Sequence, residues 1–295
     1  MGSVGARRPA IAMSRSVERS AVIVAVLISA VFPGLLRGQD SPRLFPDRAL
    51  LPALFAGARD PMVKGEFVFV TDNANAFGNG VESEVSLGNA LPIWRLGGHS
   101  TSDAVVLGVE AAVFARFGLQ VLQRELIATD WVLAVPLVWH RGSHWVRLRY
   151  YHTSSHLGDE YARRFDVEGV NFARDAADAL GLVQLIPIAG VYAGVRWAYN
   201  VHPEDSGRWT LRAGMQLGRT EGARALLPYG TVDVEVEDDT DWSPRAHVQA
   251  GVWLPEVGGR RMLRLGVGFM TGPTPLGQFR SERTTQLTLG VSGSP

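Results

Sequence analysis

The chain has 295 residues, no Cys, 46% hydrophobic and 20% charged residues, and 29 basic side chains against 29 acidic ones. Zero net charge removes the basic face that a nucleic-acid binder needs to neutralise phosphates, and the lack of Cys removes disulfide scaffolds, thiolate metal sites and thiol nucleophiles. The apolar share is too high for a disordered chain, and 33 Gly without a collagen-type repeat leave a structured, Gly-rich protein.

The first element is a 12-residue apolar run, Ala21–Phe32, preceded by Arg7, Arg8, Arg15 and Arg19. A basic stretch followed by a short apolar core predicts a secretory signal peptide over residues 1–38. The run is too short for a membrane-spanning helix, which needs about 20 residues. Cleavage near Gln39 would remove five Arg and one Glu, leaving a net charge of −4 on the remainder. Residues 39–61 carry Pro42, Pro46, Pro52 and Pro61 and are expected as a periplasmic N-terminal arm.

From residue 62 to 295 apolar and polar residues alternate. Val105, Leu107, Val109, Ala111, Val113 and Phe117 alternate with Gly108, Glu110 and Arg116. Trp209, Leu211 and Ala213 alternate with Thr210, Arg212 and Gly214, and Leu263, Leu265 and Val267 with Arg264, Gly266 and Gly268. This is the pattern of strands with one apolar and one polar face. Twelve segments qualify: 62–72, 82–97, 103–117, 127–140, 143–153, 168–182, 187–200, 207–218, 225–238, 241–255, 260–272 and 283–293. An even number of strands of about ten residues predicts an all-β fold, a single transmembrane antiparallel β-barrel of about twelve strands in the outer membrane.

A soluble lipocalin-like barrel would alternate as well. Gly and Arg on the polar face, and aromatic residues at strand ends, favour the membrane. Trp131 and Trp139 bracket Leu133, Val135 and Leu137, and eight residues rising about 3.3 Å each at about 40° tilt span roughly 20 Å. Pro136 in the same strand removes one ladder hydrogen bond and counts against it. Arg147, Arg149, Arg196, Arg212 and Arg264, with Glu110, Asp233 and Glu235, are expected to form a polar interior network. Turns at Arg141–Ser143 and around Pro187 are short, whereas Ser155–Glu168 is long. Outer-membrane barrels keep short turns in the periplasm, so the fifth strand runs outward and ends near His152.

The blocks YHTSSHLGDE (151–160), EGVN (168–171), DWSP (241–244) and GPTPLGQF (272–279) resemble a family of bacterial outer-membrane proteins known as a domain of unknown function. That resemblance covers most of residues 44–290 and implies a barrel in the outer membrane, with no activity attached. Its implied partners are membrane lipids, lipopolysaccharide and the outer-membrane insertion machinery.

A second, local resemblance carries chemistry. His152-Thr153-Ser154 is similar to the His-x-Ser of outer-membrane phospholipase A, a twelve-stranded barrel with an Asn on the next strand, and of the lipid A deacylases, which use Glu instead. Asn171 stands where that Asn could fall, although the phospholipase follows its Ser with Asn-Gly and this chain has Ser155 and His156. The resemblance implies a serine acyl hydrolase with Ser154 as nucleophile, His152 as base and Asn171 as orienter. Calcium as a cofactor is implied by that resemblance only. The residues themselves are compatible with it, because positions i and i+2 on a strand point the same way and an imidazole beside a hydroxyl takes its proton. His152 and Ser154 share parity with the apolar Val146, Leu148 and Tyr150, so both are expected to face lipid. Asp159 and Glu160 are rival third members.

Two other readings stand beside this one. His, Ser and Thr also serve at the polar-to-apolar boundary of a barrel, where they meet headgroups and water, so a non-catalytic barrel with a structural, binding or solute-passing role is the alternative. A metal reading would use His152, His156 and Glu160, although four residues on a strand separate two side chains by about 13 Å. The acidic run Glu235, Glu237, Asp238, Asp239 and Asp241 reads as a solvated loop or a calcium attractor.

Overall fold

The computed structural model describes residues 43–73, 80–100, 103–120, 124–218, 226–255 and 263–293. The expected signal peptide, residues 1–38, lies outside the described residues. A two-residue strand, β1 (Arg43–Leu44), precedes β2 (Val63–Asn73), β3 (Gly80–Ser100), β4 (Asp103–Gly118), β5 (Leu126–Arg141) and β6 (His144–Leu157). A short helix, α1 (Asp159–Phe165), leads to β7 (Phe172–Ile186), β8 (Ala189–His202), β9 (Trp209–Gly218) and β10 (Leu227–Glu237). The last three strands are β11 (Arg245–Trp253), β12 (Leu263–Pro273) and β13 (Arg283–Gly293).

Each strand from β2 to β13 pairs antiparallel with its sequence neighbours, and β13 returns to β2 with Leu287 opposite Phe69. Twelve strands therefore close into a barrel, which removes the free edges an open sheet would expose. β1 is added where β3 overhangs β2, with Leu44 opposite Trp94.

Alternation fixes the facing. Leu133 and Val267 are 49% and 56% exposed on the outer wall, whereas the inward Glu110 and Arg149 are each 4% exposed. An apolar exterior around a charged interior is the inverse of a soluble barrel and is the arrangement of outer-membrane proteins. Among the described residues no helix is long and apolar enough to cross a membrane. Tight connections at Gly142–Ser143 and Pro187–Ile188 mark one end; α1 and the turn at Gly277–Phe279 lie at the other.

The segment expected as a periplasmic arm enters the barrel instead. Leu50, Leu51 and Leu54 pack against Val106, Val138, Leu180 and Leu182 on the inner wall. The His140 ring meets Leu50 O at 2.8 Å, and His247 Nδ1 meets Ala56 O at 2.6 Å. Arg264 donates to Phe55 O at 3.0 Å while its guanidinium lies over the Phe55, Tyr229 and Trp253 rings. Arg59 pairs with Asp130 at 2.8 Å and Asp60 with Arg212 at 2.7 Å. The physical reason is that inward-facing Leu180, Leu182, Val106 and Val138 leave an apolar interior patch, which the arm's leucines cover.

The expected interior network is present and larger than anticipated. Arg149 pairs with Glu110 at 2.8 Å and Asp178 at 3.3 Å, and Arg212 with Asp233 at 2.7 Å. A second cluster joins Arg116 to Glu82 and Glu84, with Lys64 also on Glu84.

Candidate functional site

The His152 region lies on the outer wall at the end of the barrel that carries α1. Thr153 and Ser155 point inward, so His152 and Ser154 project outward, as their parity requires. The ladder sets His152 opposite Leu133 on one side and Asp175 on the other, and Ser154 opposite Trp131 and Ala173.

Asp175 is the centre of the cluster. Its Oδ1 lies 2.8 Å from His152 Nδ1 and accepts the Tyr150 hydroxyl at 2.8 Å, while its Oδ2 accepts the Asn200 amide at 2.9 Å. The sequence places Asn200 there through a β-bulge: β7 and β8 pair Asp175 with Asn200 and then Ala176 with Ala198, leaving Tyr199 as the extra residue. Bulges re-aim side chains in this way, and both Tyr199 and Asn200 become exposed on the outer wall.

With Nδ1–H donated to the carboxylate, His152 keeps Nε2 as its basic nitrogen. Ser154 stands two residues along the same face, about 6.7 Å by strand rise. The Ser154 hydroxyl makes no hydrogen bond among the described residues. Aromatic side chains surround the cluster at the same level: Trp131 opposite Ser154, and Trp197 paired with Trp209 at a ring distance of 6.3 Å.

Asn171 is not brought to His152. It precedes β7, and the ladder ends at Ser155 opposite Phe172, so Asn171 lies past the last pair. The carboxylate of Asp175 takes the position beside the ring. The signal available in the sequence was a lone charge on an otherwise small, apolar outward face, Ala173, Asp175, Ala177, Ala179 and Gly181. Of the rivals, Asp159 and Glu160 sit exposed in the first turn of α1.

No group of three or more metal-ligand side chains occurs among the described residues. The acidic run is engaged otherwise. Glu237 pairs with Arg174 at 2.9 Å, Asp239 with Arg174 at 2.7 Å and Arg280 at 2.6 Å, and Glu235 with Arg245. Asp238 accepts the backbone N–H groups of Arg208 and Trp209 at 2.9 and 3.0 Å.

Residues 41–293 match the family described as "Protein of unknown function (DUF1207)". The chain belongs to this family. No curated protein matches it. Among solved structures it is similar to outer membrane phospholipase A from Escherichia coli, with a TM-score of 0.56 at 14% identity over 84% of this chain and 96% of that one. The KdgM porin is a more distant match, with a TM-score of 0.44 at 9% identity over 79% of this chain and 99% of that one. LpxR from Salmonella typhimurium gives a TM-score of 0.36 at 11% identity, over 79% of this chain and 100% of that one. At such identities the phospholipase likeness bears on the fold alone. This DUF1207 chain shares the outer-membrane barrel fold.

Proposed function

We propose that this protein resides in the outer membrane and is a lipid acyl hydrolase whose Ser154, His152 and Asp175 act together on the outer wall. The observation that carries this reading is the 2.8 Å contact between His152 Nδ1 and Asp175, which leaves Nε2 as the basic ring nitrogen, on the same strand face as Ser154 two residues away. The Ser154 hydroxyl adds to the carbonyl carbon of a lipid ester while His152 Nε2 takes its proton. Asp175 holds the tautomer and stabilises the imidazolium, and Tyr150 and Asn200 hold Asp175. The tetrahedral intermediate collapses as His152 protonates the departing alkoxide, leaving an acyl-serine. Water, deprotonated by the same imidazole, releases the fatty acid and restores Ser154.

The aromatic level of the cluster and its place at the end opposite the tight turns support the outer leaflet as the substrate's location. Phospholipid and the acyl chains of lipopolysaccharide are the substrate classes within reach there. The arm, with Leu50, Leu51, Leu54 and Met62 seated against the inner wall, weighs against solute passage. One observation favours a non-catalytic barrel: Ser154 and His152 are not hydrogen-bonded, and catalytic contacts of this kind often tighten only with substrate. Fatty-acid release from phospholipid vesicles by refolded protein tests the proposal. Release by wild type that Ser154→Ala abolishes is expected; no release, or equal release by Ser154→Ala, overturns it.

A further inference from the structure

The outer wall carries a second feature, at the tight-turn end and away from Ser154. A groove of about 430 Å3 crosses β5 to β8, within the range of about 300–1,000 Å3 usual for ligand clefts. Trp139, Val146, Val183 and Val191 form its sides, and Gly181 and Ala193 leave its floor low. A Cβ built at Gly181 would have Val146 Cγ2 at 3.7 Å as its nearest neighbour, an ordinary van der Waals contact, so a side chain can start there without a clash.

Two polar side chains stand at the rim. Arg141 and His144 face each other across the two-residue turn Gly142–Ser143, where Gly142 has φ +64°. Opposed residues of an antiparallel pair point to the same side, here outward, as Trp139 and Val146 do. The Gln184 backbone N–H donates to His144 Nδ1 at 3.0 Å, which leaves the ring proton on Nε2 as a donor. Arg141 makes no ion pair among the described residues, Asp103 opposite it on β4 included. A guanidinium and an imidazole N–H thus sit at the end of an apolar groove on the outer wall. The chemistry they complement is a phosphodiester joined to an acyl chain.

We propose that this groove binds one glycerophospholipid of the leaflet on the tight-turn side, with its phosphate on Arg141 and His144 and an acyl chain along Gly181 and Ala193. This site is independent of the Ser154 reading and stands or falls apart from it.

The test is native mass spectrometry of the full chain in detergent micelles doped with dioleoylphosphatidylglycerol or, separately, dioleoylglycerol. Wild type is expected to retain one phosphatidylglycerol and little dioleoylglycerol. Arg141→Gln should lower retention about fivefold or more, and Arg141→Lys less. Gly181→Leu should lower it as well, by filling the groove without a clash at Cβ. Val267→Leu, on the outer wall of β12, is the control and should retain as wild type does. Folding of each variant is checked by heat-modifiable migration, and the two groove variants report independently should one fail to fold. Equal retention by all variants, or equal retention of the two lipids by wild type, overturns the proposal.

Discussion

Asp60 Oδ2 and Arg212 Nη2 lie 2.7 Å apart inside the barrel, although 152 positions separate them in the chain. The pair fastens the segment before β2 to the wall of β9, and Arg212 also holds Asp233 on β10 through its Nε at 2.7 Å. The arm is therefore fastened by charge as well as by the leucines that precede it.

That pair predicts how the arm responds to acid. Burial, the largest single influence, raises the Asp60 carboxyl, but the adjacent Arg212 guanidinium together with Arg147 and Arg149 outweighs it and holds the group down at about 2. A depressed carboxyl contributes its stability fully above the unfolded value near 3.8 and loses it as pH falls toward about 2. The shift corresponds to about 2 kcal/mol for seating the arm. Amide hydrogen exchange of residues 50–62, corrected for intrinsic rates, should rise between pH 4 and pH 2 in wild type. Asp60→Asn should exchange faster at pH 4 and lose most of that pH dependence. Unchanged protection of wild type across this range would show that the pair does not hold the arm.

Two neighbouring substitutions on β6 should fail for opposite reasons. Leu148→Arg puts a charge on the outer wall, costing about 2–4 kcal/mol near the bilayer midplane, and should lower the yield of protein folded into lipid. Arg149→Leu removes the nearest partner of Glu110 and Asp178, leaving Arg147 to Glu110 at 3.8 Å and Arg147 and Arg196 to Asp178 at 3.6 and 3.4 Å, so it should cost less than the roughly 3–5 kcal/mol of a fully unpaired buried charge. Its expected signature is a lower urea midpoint after successful insertion. Identical behaviour of the two variants in both assays would contradict the facing of β6.

How much of this was legible in the sequence depended on whether a strand meets two different media. In β4, β9 and β12 apolar side chains face outward while Glu110, Arg116, Arg212 and Arg264 face the interior, so the alternation reads directly. In β7 it does not. Leu180 and Leu182 face inward because the arm covers them, and Ala and Gly dominate the outer face. A strand whose inner face mixes Arg174 and Asp178 with Leu180 and Leu182, and whose outer face is mostly Ala and Gly, carries no clean period-two signal, and Asp175 was hidden in it. The seating of the arm was illegible for another reason. Its partners, His140, Arg212, His247 and Arg264, are brought together only by barrel closure, and their spacing along the chain carries no pattern.

The turn Gly277–Phe279 should be sensitive at its first residue. A Cβ at Gly277 would lie 2.6 Å from Ser155 Cβ and 2.7 Å from Phe172 Cδ1, and neither atom belongs to a flexible side-chain end. Gly277→Ala should therefore displace the turn, weaken the Gln278 Nε2 bonds to Ser155 O and Val170 O, and cost about 1–3 kcal/mol. Thermal unfolding in detergent measures it, and an unchanged midpoint would show that the turn accommodates the methyl group.

The last prediction concerns how the outer-wall residues divide the work. If Ser154 and His152 act as nucleophile and base, each is useless without the other, so Ser154→Ala, His152→Ala and the double variant should lose nearly the same activity. Asp175→Ala should cost about a hundredfold or more, because the ring loses the carboxylate that sets its tautomer and stabilises its charge. Tyr150→Phe and Asn200→Ala remove donors to Asp175 rather than the carboxylate, and each should cost less. Asn171→Ala should leave activity as it is, since the ladder places that residue beyond His152. Ser155→Ala should do likewise at Ser154, because its hydroxyl is buried on the inner wall. Fatty-acid release from phospholipid vesicles or lipopolysaccharide, with folding of every variant verified by heat-modifiable migration, ranks them. A full rate for Asp175→Ala alongside a dead Ser154→Ala would remove Asp175 from the mechanism and return the orienting role to another residue. Losses for Ser154→Ala and His152→Ala that simply multiply in the double variant would mean that they act separately, and the three-residue site would have to be abandoned.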